Sequence, residues 1–121
     1  MNKYKLIATD FDGTLLDSQK SISKENVDAL KKCKDNGYYV VGVTARTSQS
    51  VFSVVDTSLF DYLILNNGTH IFDVLKNELY TVTSISKEKY SLIFEEMKSV
   101  CKEIAFCSGK FHYIYGTDLA K

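Results

Sequence analysis

Leu6-Ile7-Ala8-Thr9-Asp10-Phe11-Asp12-Gly13-Thr14-Leu15 is a short apolar run that breaks into two carboxylates, a glycine and a threonine. Residues 4–9 are β-prone and almost continuously apolar, as expected of a strand covered on both faces in a parallel sheet. Such a strand would deliver Asp10 to a loop at its carboxyl end. Gly13, which permits a tight turn, is expected to re-aim Asp12 so that both carboxylates meet one ligand.

Outward from this stretch the pattern alternates. Ser23 reads as an N-cap and Glu25 as a first-turn acid, with Val27, Leu30 and Cys33 at helical spacing until Asn36-Gly37 stops the helix. Residues 38–43 read as a second strand. Thr44-Ala45-Arg46-Thr47-Ser48 then leads into a second helix with Val51, Phe52, Val54 and Val55 on its buried side. Residues 62–65 read as a third strand ending in Asn66-Asn67-Gly68, and residues 69–73 return antiparallel to a partner at 79–82. Strand alternating with helix predicts a doubly wound α/β sheet with right-handed crossovers. Ligands in such sheets bind beyond the carboxyl ends of the strands, where Asp10, Asp12, Thr44 and Asn67 would emerge.

After Ser86 the character changes. Tyr90, Ile93, Met97, Val100 and Cys101 form a helical stripe, and residues 104–107 and 111–115 read as a hairpin turning at Ser108-Gly109-Lys110. Two units follow, residues 1–83 and residues 84–121.

Composition narrows the function classes. The 121 residues carry fifteen basic and fifteen acidic side chains, interspersed, so no basic stripe points to nucleic acid. The apolar run before Asp10 is too short for a signal core or a membrane span, which makes the cytoplasm the default location. Cys33, Cys101 and Cys107 lack metal-ligand spacing and read as reduced, packed thiols. His70 and His112 have no carboxylate or cysteine partner at ligand spacing and read as ordinary histidines.

Asp10-x-Asp12-Gly13-Thr14-Leu15 at the end of the first hydrophobic strand, with Leu16-Asp17 after it, resembles the signature of the haloacid dehalogenase superfamily. The chain as a whole resembles the N-terminal part of the Cof-like phosphatases of that superfamily. This resemblance implies a partial HAD-like Rossmannoid parallel sheet followed by the start of an inserted α/β cap. It also implies Mg²⁺-dependent hydrolysis of small phosphorylated metabolites, sugar phosphates foremost. Asp10 is then the nucleophile that forms an aspartyl-phosphate, and Asp12 protonates the leaving alcohol and activates water. The nucleophile must be ionised while its neighbour can hold a proton. The resemblance assigns Mg²⁺ to the Asp10 carboxylate, the Asp12 carbonyl and an acid from a later motif. Thr44 aligns with the hydroxyl residue that holds a phosphate oxygen, and Arg46 with the arginine of a Thr-Gly-Arg motif in which Ala45 replaces glycine. Asn67 and Gly68 align with a turn that lines the substrate entrance. The plainer readings stand beside these: Thr44 and Ser48 as helix caps, Arg46 as an exposed cation, Asn67-Gly68 as a tight turn.

Relatives in this superfamily carry a lysine and a Gly-Asp-x-x-x-Asp motif after the cap, and nothing here matches them. Gly116-Thr117-Asp118 lacks the spacing, and Lys110 falls in the expected hairpin turn. The chain is accordingly expected to be a truncated form of low or no activity, with its first strand left at an open sheet edge. That edge belongs to a fragment of a longer protein or pairs with another copy as a homo-oligomer. Two other functions remain: a non-catalytic phosphate-binding or interaction protein, and a phosphomutase.

Overall fold

The computed structural model describes residue 3 and residues 5–116. Strands β1 (Leu6–Asp10), β2 (Tyr39–Val43) and β3 (Tyr62–Leu65) are parallel, and β4 (His70–Asp73) and β5 (Glu78–Thr81) continue the sheet antiparallel. Their spatial order is β1-β2-β3-β4-β5. Helix α1 (Lys24–Asp35) links β1 to β2, and the short α2 (Ser48–Phe52) lies between β2 and β3. Helix α3 (Lys87–Met97) then precedes a separate hairpin of β6 (Glu103–Cys107) and β7 (His112–Gly116).

Local chemistry sets these boundaries. Ser23 Oγ accepts from the Asn26 amide to open α1, and Gly37, at φ 81°, takes the left-handed conformation that ends it. Thr47, not Thr44 or Ser48, caps α2 by accepting from the Ser50 amide.

Both crossovers carry the chain in one direction along the sheet, so the right-handed rule puts α1 and α2 on the same face. Alternation along the strands agrees. Val40, Leu63, Leu65 and Phe72 share one face and form a single buried cluster with Leu30 of α1 and Val51 of α2. On the opposite face, Leu6, Tyr39, Tyr62 and Tyr80 are exposed. The expectation of a first strand covered on both faces is thus corrected, since the core lies on one side of the sheet, whereas the open edge expected at β1 is present among the described residues. The alternating strands and helices match the partial parallel α/β sheet that was expected, and the described residues hold only the part that winds in one direction.

Smaller corrections follow from the same geometry. Phe52 is exposed, and Val54 and Val55 lie beyond the end of α2 while still packing against the core. Helix α3 ends before Val100 and Cys101 and fully buries none of its residues. Cys107 is exposed, not packed.

Candidate active site

Phe11 is fully buried and meets Phe60 edge-to-face at 5.3 Å between ring centroids, while Asp10 and Asp12 stay exposed. The turn starts at Phe11 itself, whose carbonyl accepts from the Thr14 amide at 3.2 Å and the Leu16 amide at 2.8 Å, with Asp12 and Gly13, the latter at φ 75°, at the centre of the turn. The neighbouring strand accommodates this anchor through Gly42, where a Cβ would stand 2.5 Å from the Phe11 ring.

Three strand ends converge on one edge of the sheet. Asp10 is level with Val43, and Val43 with Ile64, so Thr44 and Asn66 leave beside Asp10. Backbone bonds stitch the loops together: Thr44 N–H to Ile64 O at 2.9 Å, Asn66 N–H to Arg46 O at 3.0 Å, and Asn67 N–H to Thr44 O at 3.3 Å. Thr44 is buried, and its hydroxyl oxygen accepts from the Arg46 amide at 3.1 Å. Asn66 and Asn67 both hold positive φ, which asparagine tolerates better than most residues.

Arg46 grips Asp12 at two points, Nε to Oδ2 at 2.7 Å and Nη2 to Oδ1 at 2.8 Å, and its Nη1 donates to Ser50 Oγ at 2.9 Å. Lys20 Nζ adds a third contact, 2.9 Å from Asp12 Oδ1. These partners, Arg46 foremost, hold the Asp12 carboxyl far below the usual carboxylate range, and Asp12 in turn raises Arg46. Lys20 reaches this position from a turn built by Asp17, whose Oδ1 accepts from the amides of Gln19 and Ser21. Asp10 has the Thr14 hydroxyl 3.4 Å from its Oδ2.

The Asp10 carboxylate and the Asp12 carbonyl are hard oxygen donors of the kind Mg²⁺ takes while keeping several waters. They fit that ion as part of a coordination shell. Among the described residues no group of three or more His, Cys, Asp or Glu side chains comes together to complete it.

The β6–β7 turn rests on the same loops. Gly109 O accepts from Asn66 Nδ2 and from the Ser48 amide, each at 3.2 Å. A Cβ at Gly109 would lie 2.7 Å from Nε2 of the buried His70. Between this unit and the β2 and β3 loops opens a cleft of about 630 Å³, lined by Ala45, Asn66, Asn67, Tyr90, Phe106 and Tyr113 among others.

The family profile described as haloacid dehalogenase-like hydrolase matches residues 7–121. The chain belongs to this family. It is similar to the 5-amino-6-(5-phospho-D-ribitylamino)uracil phosphatase YcsE of Bacillus subtilis, 43% identical over 57% of the chain and 28% of that relative. The phosphatase YwpJ of the same organism is 37% identical over 70% of the chain and 30% of its own length. A haloacid dehalogenase-like hydrolase structure from B. subtilis superposes with a TM-score of 0.73 at 34% identity, covering 84% of the chain and 36% of that structure. The chain therefore spans about a third of the length of the family members it matches.

Within this haloacid dehalogenase frame the structure brings Asp10, Asp12, Thr44 and Arg46 to one edge, with Ala45, Asn67 and Gly68 in the adjoining loops. Lys20, Asn66 and Gly109 went unrecognised in the sequence. Lys20 joins through a left-handed residue, φ 61°, that lysine composition does not announce. Asn66 was visible as a neighbour of Asn67 but not as the one whose side chain is buried. His112, read as partnerless, stands 3.1 Å from Cys107 Sγ, a cross-strand pairing that spacing along the chain conceals.

Proposed function

We propose that the chain is the nucleophile-bearing part of a Mg²⁺-dependent cytoplasmic phosphatase that hydrolyses monoesters of small phosphorylated metabolites, sugar phosphates included. The observation that carries this reading is the convergence of Asp10, Asp12, Thr44 and Arg46 at the carboxyl edge of the sheet. Relatives named as phosphatases of pyridoxal phosphate and of HMP-PP support the substrate class. Residues 84–121 are proposed as the beginning of the cap.

Asp10 attacks phosphorus, forming an Asp10 O–P bond as the ester P–O bond breaks, and a proton from Asp12 goes to the departing alkoxide. Water then attacks the aspartyl-phosphate, gives its proton to Asp12, and inorganic phosphate leaves with Asp10 restored. With its cations in place Asp12 is ionised and has no proton to give. The substrate dianion is the stronger partner for both cations, so Arg46 and the exposed Lys20 would turn from Asp12 to phosphate and free Asp12 to carry a proton. The Thr44 hydroxyl donates to a phosphate oxygen. The Asp10 carboxylate and the Asp12 carbonyl would hold Mg²⁺, which when bound would supply charge neutralisation at the phosphate.

Phosphate release from p-nitrophenyl phosphate and a sugar-phosphate panel, with Mg²⁺ and with chelator, tests the proposal against Asp10→Asn. Slow, metal-dependent turnover is expected, falling at least about a hundredfold in the variant, as for loss of a covalent nucleophile. Phosphate binding with no turnover in either protein would reject hydrolysis. It would favour the second reading, a non-catalytic phosphate-binding protein, to which the cation-locked Asp12 also points.

A further inference from the structure

We propose that Cys107 and His112 form a thiol–imidazole pair that makes Cys107 a site of thiol–disulfide exchange with small disulfides. The product is a mixed disulfide carried on the β6–β7 hairpin. Nothing in this pair depends on the phosphatase reading.

Strand register builds the pair. Cys107 lies directly opposite His112 at the turn end of the antiparallel hairpin, and Cys107 Sγ stands 3.1 Å from His112 Nδ1. Directly opposed residues are the nearest side-chain neighbours that two paired strands offer. The turn beyond them is closed by the Ser108 amide, which donates to Phe111 O at 3.0 Å. It is tied to the core loops by the bonds from Asn66 and Ser48 to Gly109 O.

Exposure supplies the second observation. Phe106 packs against Tyr90 and Phe94 of α3, and Tyr115 packs against Phe94. Alternation along the strands therefore sets Cys107 and His112 on the hairpin face turned away from that helix. Both residues are exposed. Cys33 and Cys101 are half-buried, and Cys33 packs on the core cluster. The other histidine, His70, is buried, with Thr69 and Asn66 at its Nδ1. Of the three cysteines, Cys107 is the one open to a bulky reagent, and an imidazole stands beside its sulfur.

A nucleophile and a base within hydrogen-bond reach are the parts that activated thiols share. With its own proton on Nε2, His112 takes the thiol proton at Nδ1 as Cys107 Sγ attacks one sulfur of the reagent. A new S–S bond forms, the reagent's S–S bond breaks, and the departing sulfur is protonated from the imidazolium. Cys107 is oxidised to the mixed disulfide while half of the reagent is reduced to a thiol, and an added thiol reverses the step.

The test incubates the full reduced 121-residue chain with oxidised glutathione and follows each cysteine by peptide mass spectrometry. Cys107 is expected to take up glutathione at least about tenfold faster than Cys33 or Cys101, and a reducing thiol to remove it. His112→Gln, at an exposed position, is expected to slow the reaction at Cys107 at least about tenfold with an unchanged far-UV circular dichroism spectrum. Added imidazole should raise the rate of His112→Ala more than that of the parent chain, a rescue that a merely structural contact would not allow. An unchanged Cys107 rate in both His112 variants, slowing that imidazole does not relieve, or modification of Cys33 or Cys101 ahead of Cys107 would overturn the proposal. So would a Cys107 that takes up no glutathione.

Discussion

The proposed chemistry turns on the state of Asp12. Its side chain is 41% exposed, yet two cations hold it, and the two-point grip of Arg46 fixes its orientation. Because its folded pKa lies below the unfolded value, the ion pairs stabilise the protein above about pH 4, near the usual aspartate pKa. That contribution is lost as pH falls through the depressed value. Solvent screening keeps its size within about 1 kcal/mol. Carboxyl-detected NMR titration is expected to show Asp12 ionised to far lower pH than an ordinary aspartate, and Arg46→Ala should return it most of the way to the usual value. An Asp12 that titrates normally in the parent chain would contradict the geometry. Salt should shift the Lys20 contact more than the Arg46 one, because Arg46 is less exposed and binds at two points.

At the scale of elements, β1 and β2 are spaced by one ring and one missing side chain. Phe11→Ala empties a fully buried site and is expected to cost about 3–5 kcal/mol. Gly42→Ala drives a methyl into that ring and into Leu63, with an expected cost of about 1–3 kcal/mol. Urea unfolding measures both, and the double variant should be less destabilised than the sum, because truncating Phe11 makes room for the new methyl. The β6–β7 turn makes an analogous contact with the core loops. Gly109→Ala strains a residue at φ 88° and pushes against His70, so the turn should lift. The Ser48 amide, which donates to Gly109 O, is then expected to exchange with solvent faster, whereas the α1 amides keep their protection. Unchanged exchange at Ser48 would show that the turn tolerates the methyl in place.

Across the whole molecule the sheet is unevenly covered. Among the described residues one face carries the core, while the other shows Leu6, Tyr39, Tyr62 and Tyr80, and β1 forms the edge beside it. Apolar surface next to an unpaired strand edge favours association. We expect sedimentation velocity to show concentration-dependent self-association of the chain. Leu6→Lys combined with Tyr39→Lys should reduce it without unfolding the core, which lies on the other face. A strictly monomeric parent chain at high concentration would refute this.

Local patterns that need only a few neighbours were legible in the sequence. The third strand and the caps of α1 match their expected positions, as does the arrival of Asp10 at a strand end, because alternation, helical spacing and cap chemistry act within a handful of residues. The placing of Asp10, Asp12, Thr44 and Arg46 at neighbouring strand ends was legible too, through a sequence signature that follows the first apolar strand. Tertiary structure alone decided the rest. Arg46 meets Asp12 across 34 positions, and Asn66 meets Gly109 across 43, only after the strands are in register. The uncovered sheet face likewise emerged only with strand order, since right-handed crossovers choose a side of the sheet only once the direction of winding is set. Spacing along a chain encodes the period of an element; which faces and loops then meet is fixed by packing.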